Sequence, residues 1–207
     1  MAQLPRLIAL SPGDLGPADR ARFLAALERA FAAGLPGLLL REPRLSEREF
    51  LGLGKAVLGL RARYPGVWFA VHDRAHLAVE LCADGVHLSF RSLRPAELRA
   101  WLAPGIALGL STHADDEPRT WGGADYLFHG PLHATPSKAG RVAPVGFEGL
   151  ARAVCVASAP VFALGGVTPS DLARLRGLGV YGAAVQSGLL GASDAGSATR
   201  AYLEALA

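Results

Sequence analysis

Short, continuously apolar runs alternate along the chain with longer runs whose apolar residues recur every three or four positions. The first kind reads as strands covered on both faces, the second as amphipathic helices. Residues 6–10 (RLIAL) open as a strand. Residues 16–34 follow as a helix, with Phe23, Leu24, Leu27, Ala30 and Phe31 at helical spacing and Gly34 as its stop. Residues 37–41 (GLLLR) form the second strand, and residues 45–64 a helix with Ser46 as N-cap and Glu49 completing a capping box. Residues 67–72, 85–89, 106–111, 124–129, 160–166 and 181–187 supply six more strands. Helical runs are expected at 74–84, 94–102, 146–157, 168–179 and 192–207, with Thr168 capping the fourth of these and Pro169 at its first position. The residues 114–123 link the fifth strand to the sixth.

Eight such units without a linker point to one (β/α)8 barrel domain over residues 1–207. A doubly wound sheet offers no reason for eight regular repeats.

Composition narrows the function class. In 207 residues, 51% are hydrophobic, enough for a continuous core, and the formal charge is +3. The arginines are scattered, so no footprint for nucleic acid appears. No stretch reaches the roughly 20 apolar residues of a membrane span. Cys82 and Cys155 lie far apart in apolar surroundings and read as buried free thiols, which fits a reducing, cytoplasmic setting. No metal-ligand spacing is visible.

In a (β/α)8 barrel the chemistry sits at the carboxyl ends of the strands. There the sequence places Ser11, Arg41 and Glu42, His72-Asp73-Arg74, Ser89, Ser111-Thr112-His113, His129, Gly165-Gly166 and Gln186-Ser187-Gly188. The two glycine turns after the last two strands let backbone N–H groups approach a phosphate. Arg41 is either an anion clamp or half of a surface ion pair. Asp73 is either part of a binding cluster or a helix N-cap. His76 is expected on a helix, and His87 as a satisfied core histidine.

These segments together resemble the thiamine phosphate synthase superfamily, which includes the TenI-type thiazole tautomerases. The resemblance rests on LLLRE at 38–42, VHDR at 71–74, ADGVHLS at 83–89, GLSTH at 109–113, ADYLFHGPLHATPSK at 124–138, VFALGGVTP at 161–169 and AAVQSG at 183–188. It implies the same barrel, a small-molecule thiazole phosphate as ligand, and a homodimer. It also implies substrate contacts from Arg41, Asp73, Arg74, Ser111, Thr135, Ser137 and Lys138. The phosphate cradle would be Gly165, Gly166, Gln186, Ser187 and Gly188.

Two departures weigh on the activity. Pro43 stands where the synthases carry a diphosphate-binding lysine, and Ser92 stands near their Mg2+-binding aspartate. His72 replaces an asparagine. Losing two charges from a charge-neutralising site argues for a member that needs neither metal nor diphosphate. The leading expectation is therefore a TenI-like thiazole tautomerase without a cofactor. Its acid/base residue would be His133, His129 or His72, since Pro131 occupies the family's loop histidine position. The second expectation is a Mg2+-dependent thiamine phosphate synthase that uses Thr135, Ser137 and Lys138. The third is a thiazole-phosphate-binding regulator without turnover.

Overall fold

The structure is a computed structural model that describes residues 3–89, 92–135 and 142–207. Its strands are β1 (Leu7–Leu10), β2 (Gly37–Leu40), β3 (Trp68–His72), β4 (Gly85–Leu88), β5 (Ala107–Thr112), β6 (Tyr126–His129), β7 (Val161–Leu164) and β8 (Gly182–Val185). Each pairs in parallel with the next, and β8 closes on β1 through Leu7↔Ala183 and Ala9↔Val185. The expected (β/α)8 barrel is what forms.

Strand side chains divide by parity between two cores. Ile8, Leu10, Leu39, Trp68, Ala70, Tyr126, Phe128, Phe162 and Ala184 pack with one another inside the barrel. Their alternates, such as Leu7, Leu38, Val71, Val86 and Leu127, join the residues that the helices bury. Both faces are apolar, so the strands read as unbroken hydrophobic runs.

The helices are α1 (Arg20–Ala32), α2 (Glu47–Arg61), α3 (Pro95–Arg99), α4 (Gly146–Val156), α5 (Leu172–Gly177) and α6 (Ala195–Leu206). On α1, Phe23, Ala26, Leu27, Ala30 and Phe31 are buried, the stripe that a 3.6-residue period dictates. Ser46 caps α2 as its sequence requires, accepting from the N–H of Glu49 while the Glu49 carboxylate accepts from the N–H of Ser46. Thr168 donates both its N–H and its hydroxyl to the Asp171 carboxylate at 2.8 Å, opening a 3-10 turn at Pro169–Asp171 that leads into α5.

The link after β5 holds a 3-10 turn, Pro118–Trp121. Three expectations are corrected here. The segment after β3 is a 3-10 turn, Ala75–Leu77, followed by turns, so His76 is not on an α-helix. The helix expected over 94–102 stops at Arg99. Cys82 and Cys155 are both exposed. Among the described residues no helix is long and apolar enough to cross a membrane.

Candidate active site

The barrel's parity decides which strand-end side chains face the mouth. Arg41 lies two residues beyond the inward Leu39, His72 two beyond Ala70, Ser111 two beyond Gly109 and Gln186 two beyond Ala184. All four belong to the inner set. Glu42, Thr112 and His129 have the opposite parity and do not.

Arg41 is partly buried, and its backbone N–H donates to Ser11 Oγ at 2.7 Å. Its guanidinium has no carboxylate partner among the described residues, although neighbouring Glu42 is 1% exposed. Glu42 points the other way and accepts the N–H of Gly13 at 2.9 Å and of Leu15 at 3.0 Å. It fastens the loop after β1 to the end of β2. Sequence reasoning placed Glu42 at the strand end and gave it no task. A carboxyl group at 1% exposure with two backbone donors is a structural anchor. The Gln186 amide closes the ring on the other side by donating to the Pro12 carbonyl.

Asp73 ends β3 in a left-handed conformation, φ 60°. Its carboxylate accepts the backbone N–H and hydroxyl of Ser89, both at 2.9 Å, and the Ser92 hydroxyl. His72 Nδ1 lies 3.1 Å from its other side. Burial opposes the charge, but hydrogen bonds from His72, Ser92 and Ser89 hold the carboxyl well below the usual carboxylate range. It is ionised at neutral pH, and with 39% of its side chain exposed it remains within reach of a ligand.

Arg74 is not brought to the mouth. It donates to the carbonyls of Glu42 and Leu45 at 3.1 and 2.6 Å, pairs with Glu47 at 3.0 Å, and lies over the Phe50 ring at 4.3 Å. It staples the loop after β2 to α2.

Across the barrel, Gly165 and Gly166 both take positive φ, 89° and 70°. A Cβ on Gly166 would stand 3.0 Å from that of His133 and 3.5 Å from the Thr135 methyl. The loop after β6 thus lies directly on this turn, and Thr135 belongs to the cluster. By the β7–β8 register, Gly166 is level with Gln186, which puts Ser187 and Gly188 beside it. The N–H groups of Gly166, Ser187 and Gly188 donate to no acceptor among the described residues. Such backbone donors, converging from adjacent strand ends, are the chemistry of an oxyanion or phosphate site. One detail differs from expectation: α6 starts only at Ala195, so the turn at Ser187-Gly188 is not its first turn.

The loop histidines are held elsewhere. His129 is 4% exposed, bonds Thr112 Oγ1 at 2.9 Å and faces Trp121 in the helix layer, outside the barrel wall. His133 pairs with Asp171 at 3.1 Å and packs edge-on against Phe147 of α4. Of the three proposed acid/base histidines, only His72 is on an inward position. Ser137 and Lys138 lie outside the described residues.

Sequence reasoning missed a cavity of about 550 Å³ on the β3–β4 side of the mouth. Asp73, Ser89 and Ser92 form its polar end, and Leu93, Leu98 and Trp101 its apolar wall. A tryptophan at 84% exposure was the available signal, but exposure is not written in sequence.

Comparison with known proteins fits this geometry. Residues 13–189 match the family model described as thiamine monophosphate synthase. A thiamine-phosphate synthase of Salinispora arenicola is 36% identical over 100% of this chain and 99% of its own. One of Gloeobacter violaceus is 38% identical over 87% of this chain, which spans only 53% of that relative's length. The thiamine phosphate pyrophosphorylase structure of Pyrococcus furiosus superposes with a TM-score of 0.81 at 28% identity, covering 97% of this chain and 95% of that one.

These relatives overturn the expected thiazole tautomerase. Similarity to proteins named as synthases runs through the whole barrel, while the contrary reading rested on Pro43 and Ser92, two positions among 207. The geometry explains why those positions weighed too much. The mouth keeps a cation at Arg41 that has no carboxylate partner among the described residues and an ionised carboxylate at Asp73, and the Ser92 hydroxyl supports that carboxylate. Shared fold and full-length similarity place this chain among enzymes, in the thiamine monophosphate synthase family of the thiamine phosphate synthase and TenI superfamily.

Proposed function

We propose that the protein is a thiamine-phosphate synthase, joining hydroxymethylpyrimidine diphosphate to a thiazole phosphate. The C–O bond to the diphosphate breaks, a C–N bond to the thiazole forms, and pyrophosphate leaves. The observation that carries this reading is the presence of two separate anion-binding features at one mouth. Arg41 offers, just past the end of β2, a guanidinium without a carboxylate partner among the described residues. The turns at Gly166 and Ser187-Gly188 offer backbone N–H groups at the ends of β7 and β8. A reaction between two phosphorylated partners needs both, and an isomerase with one phosphate needs only the second.

Catalysis of this kind is mainly positioning and charge stabilisation. The thiazole phosphate is assigned to the glycine turns, with Thr135 above them. The diphosphate is assigned to Arg41 and the neighbouring side of the mouth. Ser111 and His72 face the space between.

Mg2+ belongs to this reading. Among the described residues no three His, Cys, Asp or Glu side chains gather as a metal site. Mg2+ seldom needs such a cage: one or two carboxylates with substrate phosphates and water suffice. Asp73, ionised and reachable, fits as that carboxylate, with the Ser89 and Ser92 hydroxyls as neutral oxygens beside it. Bound there, Mg2+ would neutralise charge building on the departing diphosphate.

The reading also includes a homodimer, which light scattering of the purified protein tests. The function itself is tested by supplying this chain to a bacterium that lacks its own thiamine-phosphate synthase. Growth without added thiamine is expected, and failure of a well-expressed chain to restore it would reject the proposal.

A further inference from the structure

We propose that His87 is a positioning residue that works through Ser111, fixing which way the Ser111 hydroxyl faces in the barrel mouth. The inference rests on the synthase reading for its kinetic test, and on geometry alone for the rest.

His87 lies inside the barrel on β4, 1% exposed. Its Nε2 is 2.9 Å from Ser111 Oγ. Ser111 ends the inward row of β5 and is partly exposed, so it is the polar atom that reaches the mouth. The imidazole cannot turn. Phe128 packs on it with ring centroids 4.1 Å apart, Tyr126 lies at 5.5 Å, and His72 lies at 5.9 Å. Register sets His87 beside Gly109, and a Cβ there would collide with both the imidazole and the Tyr126 ring. Gly109 is therefore the space in which the His87 ring lies.

Stability does not account for a histidine here. Its Nδ1 is buried without a hydrogen-bond partner among the described residues. A leucine or phenylalanine would fill an aromatic-lined interior without leaving a polar atom unsatisfied. What a hydrocarbon lacks is the polar tie that His87 makes to Ser111.

The direction of that tie follows from the surroundings of the two ring nitrogens. A proton on Nδ1 would be buried with no acceptor among the described residues, whereas Nε2 faces Ser111 Oγ at 2.9 Å. The structure therefore assigns the N–H to Nε2, donating to Ser111 Oγ. The Ser111 O–H then turns to the mouth as a donor. Its partner is an acceptor atom of the bound substrate, a ring nitrogen or a phosphate-ester oxygen.

The test combines kinetics with nitrogen-15 NMR of histidine-labelled protein. His87→Leu and Ser111→Ala should each lower kcat/KM for pyrophosphate release tenfold or more. The double variant should fall within twofold of Ser111→Ala, because His87 acts only through that hydroxyl. His87→Gln, which keeps a side-chain N–H, should recover part of the loss while His87→Leu does not. In the spectrum, wild-type His87 should be the neutral Nε2–H form, and its Nε2 resonance should move in Ser111→Ala. Multiplying effects in the double variant, an undiminished His87→Leu, or an Nδ1–H ring would each overturn the proposal. If His87→Leu does not fold, the glutamine variant and the spectrum still decide. A wild-type protein that releases no pyrophosphate would instead reject the synthase reading, and the spectrum would still judge the His87–Ser111 tie.

Discussion

Asp73 and Ser89 join two neighbouring strand ends: the carboxylate closing β3 accepts both the N–H and the hydroxyl of the serine closing β4, each at 2.9 Å. The pair holds an ionised group at the edge of the mouth. Asp73→Asn removes the charge and keeps the size. We expect kcat/KM for pyrophosphate release to fall about a hundredfold or more. Raising Mg2+ should not restore it. Steady-state kinetics across a Mg2+ series checks this, and a variant within threefold of wild type would remove Asp73 from the site.

Arg41 makes the second prediction. Its guanidinium should bind anion by a fork of N–H groups that lysine cannot copy. Arg41→Ala should weaken pyrophosphate as a product inhibitor tenfold or more, and Arg41→Lys should recover only part of this. Inhibition constants measured on the three proteins decide it. Thermal stability should change little, since no carboxylate loses its partner.

The third concerns the turn after β7. Gly166→Ala places a methyl at φ 70° and 3.0 Å from the His133 Cβ. It should cost more than about 1 kcal/mol of stability. It should also weaken thiazole phosphate binding at least tenfold, because the loop carrying Thr135 must lift. Calorimetric titration with thiazole phosphate alone measures the second effect. Arg41→Ala should leave this affinity within twofold, since the two anions occupy different sides of the mouth.

The fourth is a pH dependence. His87 is held neutral in the folded chain, whereas an unfolded histidine takes up a proton near pH 6.5. The unfolded state therefore binds more protons below that pH, and stability is lost as pH falls from about 6.5, by up to about 1.4 kcal/mol per unit from this group. His87→Gln should flatten this limb of a urea-denaturation series between pH 7 and 5. Asp73 acts lower down. Its depressed pKa gives a contribution that is complete above the ordinary carboxylate value of about 4 and is lost below it.

The barrel was legible because its strands are apolar on both faces and its helices carry one apolar stripe. Segment 74–84 was not, although Ala78 and Leu81 are buried much as a helix would bury them. Only twelve residues separate His72 from Gly85, and they must climb back along the strand. A 3-10 turn rises about 2.0 Å per residue against 1.5 Å for an α-helix, so it covers that path with fewer residues. The exposed cysteines escaped for another reason: apolar neighbours in sequence do not say which face of an element a residue takes.

At the site, strand-end residues were legible as a set, and parity sorted them. Tyr126 and Phe128 face in, so His129 faces out. His133 does not face the mouth because the loop after β6 bends onto β7. There Leu132 donates to the Leu164 carbonyl at 2.7 Å and His133 to that of Gly165 at 3.0 Å. Such long-range bonds have no local signature. The same holds for Arg74, whose partners in the loop after β2 and on α2 turn it from the mouth.

The central claim is that this mouth joins two phosphorylated substrates. The most direct measurement incubates the purified protein with hydroxymethylpyrimidine diphosphate, thiazole phosphate and Mg2+, and quantifies pyrophosphate and the condensed product together by phosphorus NMR and mass spectrometry. The account predicts that both appear one to one, and that neither forms when either substrate is omitted. Tight binding of thiazole phosphate with no condensed product would contradict it.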